Sequence, residues 1–377
     1  MFLGSSTQLT HIRNAVELIV AVIALAHKEV VIVQTSLIGS ILSNLLLVMG
    51  MCFFFGGLRR REQFFNTTVA QTAASLLALA VAGVIVPTVF DIASSAPESD
   101  VAKLSRGTSL ILLFVYCGYL LFQLKTHSAV FAEESQKVEA KPFGRSLKEG
   151  AVVQGLVHPA GIMSGHALTR PSCHEKVRDI VTTPPKGSLS EESDVEEPQL
   201  HFIVAVAALA VSTIIIAFCA EFMVDGISAV TANGKVSEEF VGLILLPIVG
   251  NAAEHATAVT VAIKDKMDLA IGVAVGSSMQ VALFVIPLLV IIGWGMGVDA
   301  MSLSFDPFQV AVLFVAVLLV NYLIADGKSH WLEGMLLMCL YCIIAVCSWC
   351  KSTFSWMKPK LTFAAGYPPD EGQNASI

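Results

Sequence analysis

Apolar segments long enough to cross a lipid bilayer recur along this chain, and nothing else in it constrains the fold so strongly. They run Asn14–Ala26, Val30–Phe55, Val69–Val89, Ser109–Leu124, Phe202–Met223, Phe240–Ile263, Leu269–Met296, Phe308–Ala325 and Leu332–Cys350. Most reach about 20 residues, the length a helix needs to span the hydrocarbon layer. The first is shorter, and nothing apolar stands in front of it. Of the 377 residues, 55% are hydrophobic and 14% charged, with a mean hydropathy of +0.73. A soluble domain of this length needs more charge to cover its surface. The expected architecture is an all-α polytopic membrane protein of about nine transmembrane helices. The cysteines lie mostly inside apolar runs and read as small core residues, not as a disulfide framework. Met1 to Arg13 has no apolar stretch of the kind a signal peptide needs.

Between the fourth and fifth segments lies a polar stretch, residues 125–200. It contains Pro184-Pro185 and the acidic run Glu191, Glu192, Asp194, Glu196 and Glu197. This reads as a linker, disordered over much of its length, with the acidic run a solvated part of it. Arg59, Arg60 and Arg61 fall on the linker's side of the membrane, as do Lys264, Lys266 and Lys328. The opposite loops carry Lys28, Lys103, Arg106 and Lys235, and the tail adds Lys351, Lys358 and Lys360. Basic residues favour the cytosolic side, so the bias places the linker in the cytosol.

The chain also repeats itself. A shift of 237 positions lays Asn14-Ala15-Val16-Glu17 on Asn251-Ala252-Ala253-Glu254 and Gly39-Ser40 on Gly276-Ser277. Ser43 then falls on Gln280 and Val48 on Val285. Matches of Val and Ala are cheap in apolar sequence; Asn, Glu, Gly and Ser at fixed spacing are not. The copies begin in the first and sixth segments, an odd offset, so they cross the membrane in opposite directions. Inverted repeats with a site at their interface are a signature of secondary transporters. The expected divisions are an atypical segment 1–13, a first repeat of four spans 14–124, the linker, a second repeat of five spans 201–350, and a tail 351–377. Similarity between the copies stops at Asn14, where Arg13 stands opposite Gly250 and Thr10 opposite Pro247. The first copy therefore lacks a counterpart of Phe202–Met223.

Glu17 and Glu254 lie within apolar helices, where an ionised carboxylate is costly and marks a functional site by default. Asn14 and Glu17 share one helix face, as do Asn251 and Glu254. Each pair offers an amide oxygen and a carboxylate to one point. Ser40, Ser43, Ser277, Ser278 and Gln280 follow on the next helices and can add neutral oxygens. Hard oxygen donors suit calcium, which takes six to eight of them in flexible geometry. Two facing carboxylates neutralise one divalent ion; without it, proximity and desolvation favour protons instead. The same groups then hold two protons or one ion, and that competition couples the two fluxes. His255 is a proton-relay candidate, and Glu221 a candidate on its own apolar segment. Gly39, Gly250 and Gly276 read as points of close helix approach.

The run Gly250-Asn251-Ala252-Ala253-Glu254-His255, continuing through Lys264-Asp265-Lys266-Met267-Asp268 to Gly276-Ser277-Ser278-Met279-Gln280, resembles the second repeat motif of the calcium/proton exchangers. Asn14 to Gly50, with Gln34, Gly39-Ser40 and Ser43-Asn44, resembles their first, and Asn321 to Gly334 extends the likeness. The resemblance implies an inverted-repeat antiporter fold of eleven spans in the full family pattern, of which the first two are missing here. It implies exchange of cytosolic Ca2+, or a related divalent cation, for lumenal H+ across the vacuolar membrane, with no cofactor. Asn14, Glu17, Asn251 and Glu254 would form the central site, with Glu17 and Glu254 binding Ca2+. Ser40, Ser277 and Gln280 would support it, and Glu221 would lie on the second-half gating helix. Arg13 replaces the glycine expected before Asn14, and its charge would oppose a cation.

Two readings stay open. One is a divalent cation/proton antiporter whose partners are Ca2+, H+ and membrane lipid, with no nucleic acid and a possible homo-oligomer. The other is a non-transporting truncated paralogue that assembles with or regulates a full-length exchanger. An intramembrane hydrolase is disfavoured, because Glu254-His255 lacks the second histidine of a helical zinc protease motif.

Overall fold

The computed structural model describes residues 5–94 and 236–364 without interruption, most of 97–140, and scattered positions between 211 and 231. Each expected apolar segment other than Phe202–Met223, most of which lies outside the described residues, falls on a helix. Residues Met1–Lys141 and Ala210–Ile377, which carry both repeat copies, form one compact unit.

The first copy comprises α1 (Ser5–Ala26), α2 (Val30–Gly57), α3 (Thr67–Ser94) and α4 (Ser99–Thr126), with a short α5 (Ser128–Ala132) after it. The second comprises α6 (Glu238–Gly250), α7 (Ala252–Ile263), α8 (Met267–Gly295), α9 (Pro307–Leu323) and α10 (Trp331–Ala364). Under the 237-residue shift α1 answers to α6 with α7, and α2 to α8. Those last two are inner helices: 83% and 72% of their most apolar stretches are buried, against 17% for α4.

Backbone detail repeats along with sequence. α2 winds as a π-helix over Ser43–Val48 and α8 over Val281–Val285, positions that the shift superposes to within one residue. A π-turn is rare and tends to sit at functional sites, because the extra residue re-aims the side chains around it. The turns that lead into these helices also match. Lys28 and Asp265 both have positive φ, 64° and 62°. The N–H groups of Lys28 and Glu29 donate to the carbonyls of Leu25 and Ala24; those of Asp265 and Lys266 donate to Ala262 and Val261. This is the left-handed C-terminal cap that satisfies the last carbonyls of a helix, built twice at equivalent positions.

Three expectations need correction. The helix carrying Asn14 does not begin there: it starts at Ser5, so most of the segment read as atypical is the front of α1. Helical propagation needs only backbone bonds to the next turn, and the polar residues before Asn14 do not prevent it. The linker does not begin free at 125. α4 runs to Thr126, and beyond α5 the Ser135 and Val138 amides donate to Asp268 in the first turn of α8 and to Asp265 in the turn before it, at 3.0 and 2.5 Å. The acidic run lies outside the described residues. The fold also contains one small antiparallel pairing, β1 (Gln63–Phe64) with β2 (Lys328–Ser329), which joins the loops after α2 and α9.

The glycines separate. A Cβ on Gly39 would lie 2.3 Å from the Leu243 carbonyl oxygen, so here α2 and α6 touch backbone to backbone. Around its repeat equivalent Gly276, and around Gly250, nothing among the described residues lies within 4 Å of such a Cβ, so the close approach read for them is not seen there. Gly39→Ala should therefore destabilise by about 1–3 kcal/mol through overpacking. Gly276→Ala should be neutral or stabilising by up to about 1 kcal/mol through helix propensity. Thermal unfolding of the purified variants in detergent checks both, and equal midpoints would contradict the contact.

Candidate functional site

The site is built where the two motif helices meet the inner helices. In the second copy the helix breaks at Asn251 (φ −99°, ψ 10°), and the axes on either side, Glu238–Gly250 and Glu254–Ile263, diverge by 55°. Pro247 lies one turn before the break and its carbonyl still accepts from the Asn251 N–H at 3.0 Å. Gly250 follows and adds the least helix-favouring ordinary residue short of proline. α7 therefore starts inside an apolar segment with Glu254 in its first turn. Unsatisfied N–H groups and the helix dipole favour a carboxylate at that end. In the first copy Thr10 and Arg13 stand in those two places, and α1 runs unbroken through Asn14.

Each motif asparagine reaches across to the inner helix of the other copy. Asn14 Nδ2 donates to Gln280 Oε1 at 2.8 Å and to the Ser277 carbonyl at 3.4 Å. Asn251 Nδ2 donates to Ser40 Oγ at 3.0 Å. Ser40 and Ser277 are repeat equivalents, so each asparagine meets the same aligned residue, one through its carbonyl and the other through its hydroxyl. Ser40 in turn donates to Glu17 Oε1 at 2.5 Å. A single hydroxyl thus joins the first copy's carboxylate to the second copy's amide. Glu17 also lies within Coulombic reach of Glu254. Asn14, Ser40, Asn251, Glu254, Ser277 and Gln280 are all buried.

The cluster brings together Asn14, Glu17, Ser40, Asn251, Glu254, Ser277 and Gln280, all of which the sequence singled out. Ser43 Oγ pairs with His255 Nε2 at 3.2 Å, again between copies. Ser278 donates to the Ala274 carbonyl on its own helix. Glu221 is exposed, on a segment described only in fragments. The Arg13 side chain lies outside the described residues.

Two participants were missed. Asn44 Nδ2 donates to Ser277 Oγ at 3.1 Å, and Gln280 Nε2 donates to the Tyr116 hydroxyl at 3.3 Å. Asn44 was detectable as an amide inside an apolar helix, but its repeat counterpart is Val281, so comparing the copies passed over it. Tyr116 carries no sequence signal, since an aromatic residue in an apolar helix reads as core.

Asn14 Oδ1 and Glu17 Oε2 are buried and accept no hydrogen bond among the described residues. Leaving an acceptor dry costs about 1–3 kcal/mol, and more for a charged group. A carboxylate oxygen in that state calls for a proton or a cation. The donors around it are carboxylate, amide and hydroxyl oxygens, the set that hard divalent cations take. Structural zinc sites are built instead from sulfur and imidazole nitrogen. Among the described residues no three His, Cys, Asp or Glu side chains gather into a metal centre. The two carboxylates match the charge of one divalent ion, and the other ligands are neutral.

The family model for sodium/calcium exchanger proteins matches residues 3–125 and 204–350. The chain is 42% identical to a vacuolar calcium ion transporter of Cryptococcus neoformans, over 89% of this chain and 62% of that protein. It is 38% identical to a Ca2+/H+ antiporter of Synechocystis, over 88% of this chain and 79% of that one. A solved structure of the Ca2+/H+ antiporter protein YfkE superposes with a TM-score of 0.66 at 30% identity, covering 91% of this chain and 85% of that one. The chain thus spans less than two thirds of the length of the Cryptococcus relative.

Ser40→Ala removes the hydroxyl shared by Glu17 and Asn251. A hydrogen bond to a charged group is worth about 1.5–3 kcal/mol, so divalent-cation affinity should fall by roughly 10- to 100-fold. Titration of the purified protein with Ca2+ by calorimetry checks this, and unchanged affinity would remove Ser40 from the site.

Proposed function

This chain belongs to the sodium/calcium exchanger protein family, and on that premise we propose that it is a secondary antiporter that moves Ca2+, or a related divalent cation, against H+. The observation that carries the reading is the pair of asparagine–glutamate motifs, one per repeat copy, each hydrogen-bonded to the inner helix of the other, with acceptor oxygens left bare between them.

The chemistry is competition at one site. With Glu17 and Glu254 ionised, the site offers two negative charges and several neutral oxygens to a divalent ion. With both protonated, the charge is gone and so is most of the affinity. Every ion bound therefore displaces protons. The sign is fixed: a lower pH on the side to which the site opens weakens cation binding there. If two protons leave per ion, the apparent Kd rises by about 100-fold per pH unit in the acid limit. An ion loaded from a neutral compartment is released into an acidic one, and the protons it meets there return the other way.

Alternating access requires the two copies to move relative to each other around the site. The cross-copy bonds of Asn14 and Asn251 are neutral and few, so they can be exchanged at modest cost. His255, on the turn that carries Glu254 and paired with Ser43 across the copies, is the candidate proton relay, since imidazole changes charge near neutral pH. The distribution of Lys and Arg supports a cytosolic linker. The names of the fungal and plant relatives support a vacuolar membrane.

The test is uptake of radiolabelled calcium by acid-loaded vesicles that carry this chain. Uptake should occur, stop when a proton carrier collapses the pH gradient, and be abolished in Glu254→Gln. Uptake that survives loss of the gradient, or that Glu254→Gln retains, would overturn the proposal.

A further inference from the structure

Away from the cation cluster, one side of α3 is polar where a membrane helix normally turns apolar side chains outward. Thr68, Gln71 and Ser75 are exposed there and Thr72 is half-buried. Their spacing puts all four on one side of the helix. Together with Gly118 and Tyr119 of α4 they line a cavity of about 570 Å3, within the range of small-molecule sites, about 300–1,000 Å3. Gln71 gives its Nε2 to the Ala325 carbonyl at 3.1 Å, and Thr72 its hydroxyl to the Thr68 carbonyl at 2.7 Å. The hydroxyls of Thr68, Ser75 and Tyr119 donate to nothing among the described residues. A hydroxyl that faces hydrocarbon with no acceptor is costly, so the groove calls for an occupant rich in acceptors.

The groove lies at the boundary of the bilayer. α3 has 28 residues, about 42 Å of helix against about 30 Å of hydrocarbon. Its ends therefore reach the headgroup layers, and Thr68 stands in its first turn. Ser75 lies about 10 Å further along the axis. Beyond Ser75 the surface becomes apolar: Leu79 and Val86 on α3 and Phe114 and Ile111 on α4 are all exposed. Gly118 keeps the groove open, since a Cβ there would meet no described atom within 4 Å. Acceptor-seeking hydroxyls at the boundary and an apolar track leading inward are the complement of an amphiphile.

We propose that the groove between α3 and α4 binds one phospholipid of the linker-side leaflet. Its phosphate and glycerol-ester oxygens, all acceptors, meet the hydroxyls of Thr68, Ser75 and Tyr119, and an acyl chain lies along Leu79, Val86, Phe114 and Ile111. None of the lining residues belongs to the cation cluster, so this proposal and the exchanger reading stand or fall separately.

The test is native mass spectrometry of the whole chain, purified in mild detergent and titrated with phosphatidylcholine. Wild type should retain one more phospholipid than Gly118→Leu, whose side chain fills the groove. Leucine in place of an exposed helical glycine should not lower the thermal midpoint in lipid-free detergent. Thr68→Val with Ser75→Ala leaves the groove open and removes two donors, so half-occupancy should need about tenfold more lipid. A diacylglycerol with the same chains should be retained less than the phospholipid, and inorganic phosphate at equal concentration should not displace it. Equal lipid counts in wild type and Gly118→Leu, or an unchanged half-occupancy in the double variant, would overturn the proposal. Equal retention of the diacylglycerol, or displacement by inorganic phosphate, would overturn it as well. So would a dimer mass that Gly118→Leu abolishes, since a second copy of the chain would then fill the groove.

Discussion

A polar group buried within an apolar helix bundle has to find a partner inside the protein, because lipid supplies none. That requirement shapes the centre of this fold. Asn14 and Asn251 each sit on a helix surrounded by apolar residues, and each finds its partner on the inner helix of the opposite copy. The two halves are therefore joined by polar bonds at the middle and by apolar packing around it. The π-helical stretches of α2 and α8 lie beside these bonds. One additional residue per turn there turns Ser43 toward His255 and lets Asn44 reach Ser277. The bonds satisfy donors more completely than acceptors. What is left over is oxygen, and oxygen is what a divalent ion or a proton requires.

The two copies are equivalent in plan and unequal in detail. Both have a left-handed cap after the motif helix and a π-turn in the next helix. They differ at the motif itself. The second copy breaks at Asn251 into α6 and α7, which puts a helix N-terminus at Glu254. Thr10 and Arg13 leave α1 continuous, so Glu17 has no such terminus and relies on the Ser40 hydroxyl. One carboxylate sits in the first turn of a helix, at the positive end of its dipole, and the other accepts from a hydroxyl on the next helix.

Much of this was legible in the sequence for a physical reason. Hydropathy marks a span because the bilayer core has a fixed thickness, so every apolar segment within the described residues became a helix. The repeat was legible because Asn, Glu and Ser are improbable in apolar runs, and those residues proved to be the ones joined across the copies. What stayed hidden depends on distance in space. Gly39 and Gly276 occupy the same repeat position, yet only Gly39 meets a neighbouring backbone. The first touches α6 of the other copy; for Gly276 no atom of the described residues stands in that place. Tyr116 was invisible because its hydroxyl meets Gln280 only in the folded chain, while its ring looks like any core aromatic. The docking of Ser135 and Val138 onto Asp268 and Asp265 was invisible too, since backbone amides leave no mark in composition.

The account depends on one pair of acids holding either protons or a metal ion. Proton release is its most direct readout: purified protein in weakly buffered solution, titrated with Ca2+ while a pH indicator counts the protons set free. About two protons should leave per ion bound at a pH where both carboxyls are protonated, as expected when ligands must deprotonate to bind. Replacing Glu17 and Glu254 together by glutamine should abolish the release. Calcium binding with no change in proton occupancy would contradict the claim that the two share a site.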